Sequence, residues 1–198
     1  AYHWLSINLS TQGKFEESYG IIQSALKLDP NNHVILMNSS LPARKLGYYL
    51  IAETNTKLGL SLSPNYLLNW LSLYQTYLDQ ENKENEIKSL ILDVESISDK
   101  DRNIYDLLVH YYWKKDKNKF ESYLSAARSY IDNETRGEHN LDYYLITEGK
   151  LDDLLLTANQ RFKDGRFNYN FCSNIFISDF FNDKKVASLI KLIQAGKD

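Results

Sequence analysis

GKFEESYGIIQSALKLDP, residues 13–30, is answered by GYYLIAETNTKLGLSLSP at residues 47–64. Gly13 and Gly47 lie 34 residues apart, as do Phe15 and Tyr49, Ser18 and Ala52, and Pro30 and Pro64. Each phrase opens on a glycine, carries apolar residues at three- and four-residue intervals and closes on a proline. That is the order of a turn, an amphipathic helix and a stop. Continuing the frame from Gly13 reaches Glu81, Lys115, Gly149 and Asp183. The six positions sit in or beside STQGK, ARKLG, DQENK, KKDKN, ITEGK and FNDKK, all polar. Six turns in one frame mark an internal repeat that runs from end to end.

The segments between those turns read as helices. YLLNWLSLYQTYL (66–78) and FESYLSAARSYI (120–131) keep the helical spacing, and three prolines and eight glycines in 198 residues leave long stretches unbroken. The fifteen tyrosines suit strands by propensity, but no Asn-Gly or Asp-Gly pair is flanked by alternating apolar residues. The expectation is an all-α chain. Apolar content of 43% and charged content of 25% are those of a globular protein. A net charge of −3 supplies no basic footprint for nucleic acid. A single cysteine, Cys172, excludes an internal disulfide and a cysteine-based zinc site. No apolar run approaches the roughly 18 residues needed to span a bilayer. The chain starts at Ala1 with no leader pattern, which reads as a piece of something longer.

The period and the residues at fixed offsets resemble the tetratricopeptide repeat (TPR) family. The first unit carries Tyr2, Leu5, Ser6, Leu9, Gly13, Phe15, Ser18, Ile22, Ala25 and Pro30 at the family's places. The second keeps Gly47, Tyr49, Ala52 and Pro64, but Pro42 falls inside its first helix and is expected to kink or shorten it. The third has Trp70, Leu73 and Tyr77, with Glu81 and Glu86 in place of the turn glycine and a small residue. Units four to six keep the spacing and lose most of the lettering: Leu107, Tyr111, Leu124 and Ala127, then Leu141, Leu145, Gly149 and Ala158, then Ile175, Phe176, Leu192 and Ala195. The resemblance implies one α-α superhelix of about six helix pairs, over residues 1–32, 33–66, 67–98, 101–132, 135–165 and 167–198. Small residues such as Ser18, Ala25 and Ala52 fit close helix approaches, and each hairpin needs neighbours to bury both of its faces.

Chemistry is scarce. The four histidines form neither H-E-x-x-H nor a pair at i, i+4; Glu138, His139 and Asp142 lie within one helical turn and could bind a metal, but adjacent positions point in different directions, and a solvated helix start is the expectation. No glycine loop cradles phosphate, and the carboxylates of Asp152 and Asp153 follow Gly149 as a helix start would. YYWKKDKNK (111–119) mixes aromatics and lysines, but in frame it is a helix end with a charged turn. Neither an enzyme nor a cofactor is expected. The sequons at Asn8, Asn38 and Asn133 matter only in a glycosylating compartment.

A binding surface remains. The resemblance places the first helix of each pair along a concave groove. By register the groove includes His3, Ile7, Met37, Leu41, Arg44, Leu71, Gln75, Arg102, Tyr105, Tyr112, His139 and Tyr143. Family members that clamp a C-terminal carboxylate use lysines and asparagines where this chain has His3, Ile7, Met37, Leu71 and Ser72. The expected partner is a protein or peptide gripped by Tyr105, Tyr112, Tyr143, Arg102 and Arg44, with packing between units as the competing role for the tyrosines and self-association left open. The tail from Gly149 to Ile193 has a looser resemblance to the C-terminal TPR-like domains of ToxR-type membrane-bound winged-helix regulators. That alternative implies a ligand-responsive sensory domain, periplasmic rather than cytoplasmic, with DNA binding outside this fragment.

Overall fold

The computed structural model describes residues 1–113 and 115–131, with single positions or short pieces at 150, 152–153, 155–157, 160, 184 and 188. The fifth and sixth expected units fall almost wholly outside these residues. The chain divides into two compact units, Ala1–Leu124 and Ser125–Asp198. The first of them holds the repeat frame at its clearest.

Among the described residues the fold is all-α with no strand, and eight helices are delimited as far as Ile131. They are α1 (Tyr2–Thr11), α2 (Phe15–Leu28), α3 (His33–Lys45), α4 (Tyr49–Leu62), α5 (Leu68–Leu78), α6 (Glu84–Ser96), α7 (Arg102–Tyr112) and α8 (Lys117–Ile131). The start of α2 at Phe15 and of α4 at Tyr49 are 34 residues apart, and the ends of α2, α4 and α6, at Leu28, Leu62 and Ser96, keep the same step.

The first two turns are copies of each other. Gly13 and Gly47 take φ of 73° and 78°, the left-handed region that glycine enters without a Cβ penalty. Lys14 N–H then reaches back to the Leu9 carbonyl at 3.0 Å, and Tyr48 N–H to the Ala43 carbonyl at 2.8 Å. Gly13 N–H donates to Ser10 O and Gly47 N–H to Arg44 O. This paired closure caps the helix and folds the next one back against it within three residues. In the third turn the left-handed residue is Asn82, at φ 59°, one place after the in-frame Glu81. Asparagine tolerates that region where glutamate does not, so the turn lengthens to fit it.

Pro42 does not cut α3 short: the helix continues to Lys45. The proline lies in the last turn, where it removes a single backbone donor, and its ring is buried. Three side chains start helices: Asn32 Oδ1 accepts from the N–H groups of Val34 and Ile35, Asp101 Oδ1 from that of Ile104, and Asp116 Oδ1 from that of Lys119.

Packing runs both along and across the sequence. Each helix from α1 to α6 touches the next, and α3 also meets α1 and α5, while α5 meets α7. Ile22, Ala25 and Ile35 form the core between α2 and α3, with Leu26 against it. Leu73, Tyr74 and Tyr77 of α5, Leu90, Ile91 and Val94 of α6, and Ile104, Leu107, Leu108 and Val109 of α7 are buried as well. Between α1 and α2 the filling is polar. Ser18 Oγ donates to the Ser6 carbonyl at 2.8 Å and shares hydrogen bonds with the hydroxyls of Ser6 and Ser10 at 2.9 and 2.7 Å. Three small hydroxyls satisfy one another where larger side chains would push the helices apart.

Candidate functional site

The first helix of each pair is a direct neighbour of the first helix of the next, and polar side chains bridge them about one period apart. Asn38 Nδ2 lies 2.9 Å from His3 Nε2, linking α3 to α1. Ser40 and Ser72 share a hydrogen bond of 2.6 Å between α3 and α5. Tyr74 Oη and His110 Nδ1 are 2.8 Å apart between α5 and α7, with their rings edge to face. Burial holds the His3 imidazole below its ordinary pKa.

Arg44 and Gln75 meet in the same row. Arg44 Nη2 donates to Gln75 Oε1 at 2.9 Å, and Arg44 Nη1 pairs with Asp79 Oδ2 at 2.7 Å. The guanidinium is buried, and Asp79 also has the Lys45 ammonium 3.9 Å away. The cation expected to face a ligand is therefore committed to packing α3 on α5. Beside it, Ile7 on α1, Met37 and Leu41 on α3, and Leu71 and Gln75 on α5 are half-buried. On α3 and on α5 these positions recur at i, i+4, so each of the two helices contributes a stripe. The result is a largely apolar face with hydrogen-bonding groups set into it.

Tyr112 belongs to a different cluster. Its hydroxyl donates to Glu95 Oε1 at 2.9 Å, and the same oxygen accepts from Tyr123 Oη and Lys119 Nζ, each at 2.8 Å. Tyr112 and Tyr123 are stacked with centroids 5.8 Å apart, and Lys119 sits 4.6 Å over the Tyr112 ring. Burial pushes the Glu95 carboxyl up, but the bonds from Lys119, Tyr123 and Tyr112 together hold it below the ordinary glutamate value. Burial, followed by the bond to Glu95, pushes the Tyr123 phenol up to about 12. Tyr105 joins the edge of this group, 6.4 Å from the Tyr123 ring. The two α7 tyrosines thus turn toward α6 and α8 and knit the third pair to the fourth.

A comparable knot holds α4 to the third turn. Glu53 accepts from Lys57 at 2.6 Å and from Lys83 at 3.1 Å, and both ammonium groups lie over the Tyr77 ring. Sequence reasoning missed both carboxylates. Lys83 is 30 residues from Glu53 and Lys119 is 24 from Glu95, with no motif to join them. The contacts along the first helices, by contrast, recur near one period. The backbone places Arg102 at the start of α7. His139, Tyr143, the Glu138–His139–Asp142 group and Cys172 lie outside the described residues. Among the described residues no group of three or more His, Cys, Asp or Glu side chains is placed to hold a metal ion, and no helix is long and apolar enough to cross a membrane. The chain matches no family model, no curated protein and no solved structure.

Proposed function

We propose that this chain is a non-catalytic protein-interaction domain of the TPR type. In this reading its helix pairs stack as a superhelix whose concave side is lined by α1, α3, α5 and α7. The observation that carries the reading is the row of first helices in direct contact, bridged by His3–Asn38, Ser40–Ser72, Arg44–Asp79 and Tyr74–His110, each pair separated by close to one period. Such bridges fix the helices as one rigid platform and leave the half-buried stripe of Ile7, Met37, Leu41, Leu71 and Gln75 available to a partner. Because Arg44 is neutralised by Asp79, the platform favours an apolar or amphipathic peptide over one anchored by its carboxylate. Selection of peptides from a random display library against the purified chain tests this. Selected peptides are expected to be rich in apolar residues and to lose at least about tenfold in affinity on Met37→Glu or Leu71→Glu. Peptides indifferent to both variants, but released by Leu92→Glu on α6, refute it.

A further inference from the structure

Gln75 interrupts an apolar row. Ile7 on α1 and Leu41 on α3 hold, at one-period steps, the position that Gln75 holds on α5, and all three are half-buried. One turn earlier on the same face of α5 stands Leu71, also half-buried. A carboxamide set among aliphatic side chains needs partners for both of its polar atoms. The fold supplies one of them. Gln75 Oε1 accepts from Arg44 Nη2 at 2.9 Å, and Asp79 Oδ2 grips the other end of the guanidinium at 2.7 Å. A guanidinium carries only donors, so the atom of Gln75 that faces Arg44 is the oxygen and the amide cannot be turned round. The Nε2 nitrogen is thereby directed away from Arg44, and its N–H groups find no acceptor among the described residues.

We infer that Gln75 is a specificity-determining donor whose Nε2 takes one main-chain carbonyl of an apolar peptide lying across α3 and α5. The role rests on the platform of first helices proposed above. A peptide whose side chains fill the stripe beside Leu41 and Leu71 brings few acceptors other than its own main chain. A carbonyl desolvated there without a donor costs affinity. Gln75 offers a donor that Arg44 and Asp79 have already fixed, so little side-chain freedom is lost on binding. The carbonyl it takes is one that the peptide's own secondary structure leaves free, because a carbonyl inside a helix is already paired.

The test uses an apolar peptide selected by display against the full chain, with variants in which each backbone amide in turn is an ester, whose carbonyl is a weaker acceptor. Gln75→Glu keeps an oxygen for Arg44 and removes both donors, and circular dichroism checks that it folds. Gln75→Glu is expected to weaken the peptide at least about fivefold. One ester is expected to weaken binding to the parent chain at least about threefold and to have no further effect on Gln75→Glu, the mark of two groups in direct contact. The Gln75 side-chain amide signal is expected to move downfield with the peptide and to move less with that ester. Should Gln75→Glu unfold, the esters and the amide signal on the parent chain decide. A peptide lost on Met37→Glu but indifferent to Gln75→Glu overturns the role of Gln75 and leaves the platform standing. So do ester effects that are the same in both chains, or an amide signal that stays still. A peptide indifferent to Met37→Glu, Leu71→Glu and Gln75→Glu overturns the platform and this inference with it.

Discussion

Replacing Gly59 puts a number on how closely α4 approaches its neighbours. Gly59 is buried, and a Cβ built on it meets the His33 carbonyl oxygen at 3.2 Å, Asn69 Oδ1 at 3.4 Å and Leu36 Cβ at 3.5 Å. Neither polar neighbour can retreat freely. The His33 carbonyl belongs to the first turn of α3, which Asn32 caps. The Asn69 amide is pinned by its donations to the carbonyls of Gly59 at 3.0 Å and Ser63 at 3.1 Å. In Gly59→Ala the helix gains about 1 kcal/mol from the loss of glycine, and one tight methyl contact returns a similar amount, so the net change is within about 1 kcal/mol of zero. Gly59→Leu adds three more carbons to the same space. Overpacking costs about 1–3 kcal/mol, and displacing Asn69 removes hydrogen bonds of about 1 kcal/mol each, for a net loss of about 2–4 kcal/mol after the helix gain. Gly20 is the control, since nothing lies within 4 Å of its Cβ; Gly20→Ala is expected to stabilise by about 0.5–1 kcal/mol. Urea denaturation followed by far-ultraviolet circular dichroism reads all three. A Gly59→Leu chain as stable as the parent refutes the close meeting of α3, α4 and α5.

Ala25→Leu is expected to destabilise by about 1–3 kcal/mol in the same assay, because Ala25 lies in the core between α2 and α3. Asp79→Asn leaves the buried Arg44 facing a neutral amide and is expected to cost about 1–3 kcal/mol, less than a fully buried pair because Asp79 is partly solvated. The Glu95 carboxyl sits below its ordinary value in the folded chain, so its contribution is present above that value and is lost as pH falls through the folded pKa. Glu95→Gln should therefore be less stable than the parent at pH 7, with the gap closing under acid, in denaturant midpoints taken from pH 7 to 3. Tyr123 has the opposite sign: its phenol is raised to about 12, so its contribution is whole below the ordinary tyrosine pKa and is lost as pH rises from there through about 12. Tyr123→Phe should flatten the alkaline limb of the stability profile.

The helices and the first two turns were legible because each rests on a local rule. Apolar spacing selects a helix, and Gly13 and Gly47 supply the left-handed residue that closes one. The third turn was harder because its left-handed residue is Asn82, displaced by one position from a frame fixed on glycine. Pro42 was read as a breaker because its effect depends on position: near the middle it would interrupt the ladder, but in the last turn of α3 it costs a single donor. The candidate face was legible only in outline. Register places Arg44 and Tyr112 on first helices, yet it says nothing of Asp79 and Glu95, whose charge and hydrogen-bonding capacity draw those side chains into packing. Long-range partners of that kind are set by how the pairs stack, which no local pattern encodes.

Whether the first helices present the binding face is tested most directly by amide chemical-shift mapping with a display-selected peptide. The largest shifts on titration are expected on α1, α3 and α5, centred on Ile7, Met37, Leu41, Leu71 and Gln75, with α2, α4 and α6 nearly still. Shifts concentrated on α2, α4 and α6, with the first helices unmoved, would contradict a binding face on the first helices.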